Sequence, residues 1–392
     1  MDFLVSDQLA EHRDAARAWV AKNVRPEWVA DQRRTGTRET LALDALLARD
    51  GILGAGWPAQ YGGSDVDPNF ALAIFDELKR IDLAMDAWAT TAMVLHTIDH
   101  LGTEAQKRHY IASALRGELL VALGYSEPDS GSDVAAAKTT AVRDGDDWVI
   151  NGQKMFTSTA QVCSHVFVLA RTNLRAAKHK GLTLFLVPTR CPGYEIQPVH
   201  TLGGERTNAT FYTDVRVPDD ARIGGVDEGW AVMHVALVYE RGMSASGPIT
   251  PPIAEELARW ARTTRRPDGT TYFDDPLTAE RIGRVAVDEE VTRLLYLRTR
   301  WQATQGELPG VEGSMAKLFA TEASQRHLSD VLDLLAPEGL LRSGTPGAPA
   351  GGAFEARFRK AVVGTIYAGS SEILREIIAE RRLRLPRNRA SR

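Results

Sequence analysis

Three stretches carry residue types suited to chemistry. The first is Gly124-Tyr-Ser-Glu-Pro-Asp-Ser-Gly-Ser-Asp133. Pro128 and Gly131 force an irregular backbone there, which leaves N–H groups free to point at a ligand. Ser126 and Ser132 add hydroxyls, although a plain surface loop has the same composition. The second is Glu240, close to the edge of an apolar stripe made by Trp230, Met233, His234, Leu237 and Val238. A carboxylate at such a margin is either a solvated surface group paired with a Lys or Arg, or one whose pKa rises with burial. The third is Ser370-Ser371-Glu372, which can cap a helix and offer its N-terminus to an anion.

The elements that must position these residues fall into three regions. Residues 1–120 have the helical period: Leu9, Ala15, Ala16, Trp19 and Val20 recur with charges between them, and Phe70–Ile81 and Ala87–Leu101 repeat the pattern. Gly56-Trp-Pro-Ala-Gln-Tyr-Gly-Gly63 interrupts it as a loop. Residues 121–228 hold short runs rich in β-branched and aromatic residues, such as His165–Leu169, Leu182–Val187 and Thr210–Val215. Turn signals such as Asp144-Gly145 and Asn151-Gly152 separate them, which predicts a β-barrel or sandwich. Residues 229–392 return to helix over Trp230–Met243, Ile253–Thr264, Pro276–Thr304, Glu312–Leu335 and Phe354–Arg384, with a Gly- and Pro-rich loop over Leu341–Ala353. Helical layers on both sides of a small β-domain would leave a crevice suited to a ligand.

The 392 residues suit more than one core. A 44% hydrophobic and 25% charged composition is that of an ordinary globular chain, and a net charge of −4 gives no reason to expect a nucleic-acid partner. Cys163 and Cys191 have no metal-type spacing, so neither a metal site nor a disulfide framework is expected, and a reducing cytoplasm is the simpler setting. The N-terminus has no basic region followed by an apolar core, and no run approaches the ~18 apolar residues of a membrane span.

Seven pieces, in order, resemble the acyl-CoA dehydrogenase family. They are Gly56–Gly63, Leu101-Gly-Thr-Glu-Ala-Gln-Lys107, Tyr125–Asp133, Trp148-Val-Ile-Asn-Gly-Gln-Lys-Met-Phe-Thr-Ser158, Gly203-Gly-Glu-Arg-Thr-Asn208, Asp214-Val-Arg-Val-Pro218 and Thr365-Ile-Tyr-Ala-Gly-Ser-Ser-Glu-Ile373. The resemblance implies an α+β multidomain fold: an N-terminal helical domain, a middle β-barrel and a C-terminal four-helix bundle. It also implies FAD, an acyl-CoA or acyl-carrier thioester, and electron transfer to an electron-transfer flavoprotein. Assembly would be a homodimer, homotetramer or heterotetramer. An oxidase or monooxygenase on the same scaffold is the alternative chemistry, and one subunit of a heteromeric dehydrogenase the alternative organisation.

The resemblance also assigns roles. Tyr125 and Ser126 meet the pyrimidine edge of the flavin, Phe156 stands for an aromatic, usually Trp, against its ring, and Ser158 for a Thr near its reactive nitrogen. Ser132 contacts the CoA arm, and Gly369, Ser370 and Ser371 approach FAD. Many members carry the catalytic base as a Glu in the C-terminal motif, where this chain has Ala368. A second family position directly precedes an Arg, and Glu240-Arg241 stands there, so Glu240 is the expected base and Arg241 a substrate contact. The backbone N–H of Ala368 remains an expected donor to the thioester oxygen. The usual Arg-x-x-Phe-Gly motif is degraded, with Arg265, Arg266 or Arg281 left to meet the pyrophosphate. Trp88 and Met233 are expected beside the acyl chain, although core packing accounts for them equally well.

Overall fold

Pro68 opens a helix because its missing N–H is not needed at the first position, and the Asp67 carboxylate accepts from Asn69 N at 2.7 Å. Local rules of this kind place most of the helices in the computed structural model. It describes residues 7–38, 41–243, 252–304 and 310–387, with the side chains of 7–9, 241–243, 300 and 303–304 excepted. Arg241 is therefore outside the described side chains.

The larger of two units begins with α1 (Asp7–Asn23), α2 (Pro26–Thr35), α3 (Ala42–Arg49), α4 (Pro68–Arg80) and α5 (Asp86–Leu101). Short α6 (Glu104–Gln106) and α7 (Ala112–Leu115) follow, joined by a π-turn over Lys107–Ile111. Ala16 and Val20 of α1 and Ile74 and Leu78 of α4 are buried where these two helices pack. Arg38 makes a two-bond fork to Asp44, Nη1–Oδ2 2.6 Å and Nη2–Oδ1 3.1 Å, with both side chains buried.

The chain then forms one sheet from β1 (Val121–Gly124), β2 (Thr140–Asp144), β3 (Asp147–Lys154), β4 (His165–Arg171), β5 (Leu182–Pro188), β6 (Tyr194–His200), β7 (Arg206–Pro218) and β8 (Arg222–Ile223). Its order is β6-β7-β3-β2-β4-β5-β8, and β1 pairs in parallel with β4. β4 and β5 are buried on both faces, as expected of the near-continuous apolar runs that form them. Helix α5 covers β1, and Thr91 Oγ1 on α5 accepts from Val121 N at 2.8 Å. Helix α8 (Gly229–Met243) packs against α5 and β5 in this same unit, through Val232, Met233 and Ala236.

The smaller unit contains α9 (Ile253–Thr263), α10 (Pro276–Thr304), α11 (Val311–Leu334), α12 (Ala353–Gly364) and α13 (Ser371–Arg381). Ile253, Leu257 and Ala261 recur on one face of α9 and join Val285, Leu328, Val331 and Phe354 in its core. The single helix expected over Phe354–Arg384 is instead two. Ala368 (φ 53°) and Gly369 (φ 87°) turn left-handed, which ends α-helical propagation, and Ser370 then caps α13. Leu341–Ala353 is a loop that closes with a short 3₁₀ turn at Pro349–Gly352. Among the described residues, no helix is long and apolar enough to cross a membrane.

Candidate functional site

Strand β1 delivers Tyr125 to the start of the turn-rich segment. The turn is closed on itself: Glu127 N donates to Ser130 O at 2.8 Å, and Ser130 N to Glu127 O at 3.1 Å. Beneath it the Glu127 carboxylate accepts from Lys138 N (2.7 Å), Thr139 N (2.9 Å) and Lys154 Nζ (2.8 Å). Lys154 Nζ also donates to Tyr125 O at 3.3 Å. Burial pushes the Lys154 ammonium down to about 8 against the pull of Glu127, so it stays protonated at neutral pH. Burial works to raise the Glu127 carboxyl, but Lys154 and the two backbone donors outweigh it and hold the group low. The buried pair thus fixes both ends of the Tyr125–Glu127 backbone.

Met155 N donates to Ser126 O at 2.9 Å, which ties the turn to the end of β3. Phe156 follows with φ 61° and is 60% exposed. A left-handed Phe costs about 1–3 kcal/mol and persists only where neighbours hold it. Here Thr157 N donates to Asn208 O (2.8 Å), Asn208 Nδ2 returns to Thr157 O (2.9 Å), and Ser158 Oγ meets Thr207 Oγ1 at 2.9 Å. Ser126, Phe156 and Ser158 therefore share one backbone-locked region, with an aromatic face turned to solvent. An exposed ring beside hydroxyls suits a flat, hydrogen-bonding heteroaromatic group. Ser132 is exposed farther along the turn.

On α8, Glu240 is half-buried at the edge of the helix face that packs inward. The phenol oxygen of Tyr125 is buried and has no hydrogen-bond partner among the described residues. Burial, and then the charge of Glu240, raise its pKa, so the carboxylate lies within electrostatic reach of the segment's first residue. Trp88 and Met233 are core residues, 6% and 2% exposed.

In the smaller unit, Lys317 Nζ donates to Gly369 O at 2.7 Å and lies 5.7 Å from the centre of the Tyr367 ring. This fixes the turn that carries Ala368. Ser370 Oγ accepts from Ile373 N at 3.4 Å, a long capping bond. Ser371 Oγ is buried and has no partner among the described residues. It lines a cleft of about 320 Å³ with Glu322, Gln325, Arg326, Thr365 and Glu372. Arg265 donates to Gly269 O within its own turn, Arg266 pairs with Asp275, and Arg281 donates to Asp330 O on α11.

Sequence reasoning singled out neither Glu127 nor Lys154. One signal was available: Lys154 shares the alternating phase of Trp148 and Ile150, both buried, so a lysine there points inward and needs a partner.

Family models for the acyl-CoA dehydrogenase N-terminal, middle and C-terminal domains match residues 6–118, 122–215 and 227–383. The acyl-CoA dehydrogenase FadE26 of Mycobacterium tuberculosis is 36% identical over 361 residues, 89% of this chain and 88% of its own. The chain belongs to the acyl-CoA dehydrogenase family. Its members are oxidoreductases that act on acyl-CoA. Among solved acyl-CoA dehydrogenases, the Tcur3481-Tcur3483 steroid ACAD has a TM-score of 0.90 and 32% identity, covering 99% of this chain and 100% of its own. The ChsE4-ChsE5 complex from Mycobacterium tuberculosis has a TM-score of 0.87 and 32% identity, with coverage of 99% and 100%. In this acyl-CoA dehydrogenase, Tyr125–Ser158 falls in the middle-domain match, and Glu240 and Gly369–Ser371 in the C-terminal one.

Proposed function

We propose that this chain catalyses α,β-dehydrogenation of an acyl thioester, with Glu240 as the base. What carries the reading is the Glu240 carboxylate within electrostatic reach of the buried Tyr125 phenol, at the start of the segment bearing Ser126. A proton on the carbon next to a thioester carbonyl is weakly acidic, so its removal needs a carboxylate whose pKa rises when substrate excludes water. Half-burial on the apolar edge of α8 suits Glu240 to that role. The developing enolate oxygen needs donors, each worth roughly 3–4 kcal/mol in comparable sites. The Ala368 N–H is proposed as one, in the turn that Lys317 holds. A backbone donor needs no particular side chain, so an Ala at this position is compatible with the role.

The residues present fit FAD: the exposed Phe156 ring and the hydroxyls of Ser126 and Ser158 suit its ring system. When bound, FAD supplies the acceptor for the hydride that leaves the β-carbon. Tyr125, Ser126, Phe156 and Ser158 would hold the ring, Ser132 the CoA arm, and Gly369, Ser370 and Ser371 the phosphate side, where a buried hydroxyl at a helix N-terminus suits an anion. Arg265 and Arg281 remain proposed pyrophosphate contacts, Arg241 a proposed substrate contact, and Trp88 and Met233 proposed neighbours of the acyl chain. We infer functional domains at 1–120, 121–228 and 229–392, an electron-transfer flavoprotein as onward acceptor, and a cytoplasmic setting. The steroid ACAD and the ChsE4-ChsE5 complex support a bulky, ring-bearing acyl group and a two-chain assembly as the first possibilities to examine.

The test is anaerobic mixing of the purified yellow protein with a panel of straight, branched and steroid-derived acyl-CoAs. Bleaching of the flavin band by at least one class supports the reading. Purified protein that takes up no FAD, alone or with a partner chain, or that none of the panel bleaches, overturns it.

A further inference from the structure

The loop Gly56–Gly63 has no part in the chemistry described above, yet it is tightly built. Trp57 N donates to Gly54 O at 3.1 Å, and Gly63 N to Pro58 O at 3.1 Å. A Cβ at Gly63 would lie 1.8 Å from Trp57 O, so only glycine lets the loop close back on the tryptophan. The closure presents the Trp57 indole to His96 on α5. The two rings stack at 4.5 Å between centroids with 19° between planes. The other face of the imidazole stacks on Tyr239 of α8, at 4.8 Å and 13°. Three near-parallel rings thus connect a locked loop, helix α5 and Tyr239 of α8.

The place where the stack meets α8 matters. Tyr239 immediately precedes Glu240 on α8, so what holds its ring also sets the rotation of the turn that carries the carboxylate. Val232, Met233 and Ala236 are the buried anchors of α8, and Leu237 and Tyr239 pack against the same core. The stack adds an aromatic contact at the position next to Glu240. Burial lowers the His96 pKa, with Asp99 on the same helix working against it, so the middle ring is a neutral imidazole at pH 7.

We propose that His96 is a positioning residue for Glu240: sandwiched between Trp57 and Tyr239, it fixes the azimuth of the turn of α8 that carries Tyr239 and Glu240, and so the aim of the carboxylate. This deepens the reading above and rests on Glu240 being the base. Displacing a reacting group by about 1 Å can cost on the order of 10²-fold. Loss of the stack is therefore expected to lower kcat by about tenfold to 100-fold. KM should change much less, since His96 is not proposed to touch substrate.

The experiment compares His96→Phe, His96→Leu and His96→Ala by single-turnover flavin reduction. Melting temperature and the ratio of flavin to protein absorbance are recorded for each. His96→Phe keeps an aromatic face on both sides and should stay within about threefold of wild type, while His96→Leu fills the slot without one and should fall with His96→Ala. A Leu variant as fast as wild type overturns the proposal, because the slot then needs only filling. So does a loss confined to melting temperature or flavin content. Each variant is also made in Glu240→Gln. If His96 acts through the base, His96→Leu costs little further there. A full additive loss in a slow Glu240→Gln enzyme overturns the positioning role and leaves the base reading intact. A fast Glu240→Gln enzyme overturns the base itself, and the positioning role with it.

Discussion

Replacing Lys154 by Met breaks the pair beneath the ligand segment while keeping most of the side-chain volume. The Lys154 side chain is 0% exposed and Glu127 6%, with nitrogen and oxygen 2.8 Å apart. Breaking one partner of a buried ion pair costs about 3–5 kcal/mol, because the other charge is left in the interior. Glu127 keeps its two backbone donors from Lys138 and Thr139, so the low end, about 3 kcal/mol, is expected. At about 2–4 °C per kcal/mol for a domain of comparable size, the melting temperature should fall by about 6–12 °C. Glu127→Gln/Lys154→Met removes both charges and should recover part of the loss, since no carboxylate is left buried without its cation. The pH dependence has a definite sign. Glu127 is held below its ordinary 4.5, so its stabilisation is complete above that value and is lost as pH falls through the lower folded value. Without Lys154 that hold on Glu127 is lost and its folded pKa moves up, so protonation relieves the buried charge and the deficit against wild type should shrink as pH falls. Thermal scans at pH 7 and acid titrations read both effects. A Lys154→Met protein within about 1 kcal/mol of wild type at pH 7, or a deficit that grows as pH falls, would refute the reasoning.

Three further outcomes are expected. Asp44→Ala leaves the buried Arg38 guanidinium without its fork and should cost about 3–5 kcal/mol in urea unfolding. Tyr125→Phe removes a buried hydroxyl that has no partner among the described residues, so stability should hold or rise by about 1 kcal/mol, and a loss of that size would point to a bond the geometry does not contain. Phe156→Ala keeps the left-handed backbone and loses the ring, so flavin retention on gel filtration should fall with little change in melting temperature, whereas Phe156→Trp should retain the flavin.

Elements with a clean period were legible in the sequence. The apolar runs His165–Leu169 and Leu182–Val187 became β4 and β5 because sheet burial on both faces demands such runs. The cap of α13 was legible in Ser370-Ser371-Glu372, but the left-handed turn before it was not. It depends on a left-handed Ala368, a conformation that composition disfavours and that the Lys317 bond to Gly369 O helps to hold. The grouping of α8 with α5 and β5 was equally hidden, since the apolar stripe of a helix shows that it packs but not against what. At the candidate site, the motif residues identified the segment, while its support came from residues distant in the chain: Lys154 27 positions from Glu127, and Thr207 49 from Ser158. Such pairings join segments far apart in the chain and have no local signature.

The central claim is that Glu240 takes the α-proton. The most direct measurement is single-turnover flavin reduction by Glu240→Gln, loaded with FAD and mixed anaerobically with an acyl-CoA that bleaches the wild type. Gln keeps the size and hydrogen-bonding character of the side chain but cannot accept the proton. A rate lower by about 10²- to 10⁴-fold, with flavin content and melting temperature unchanged, is the expected result. A rate within a few-fold of wild type would contradict the assignment.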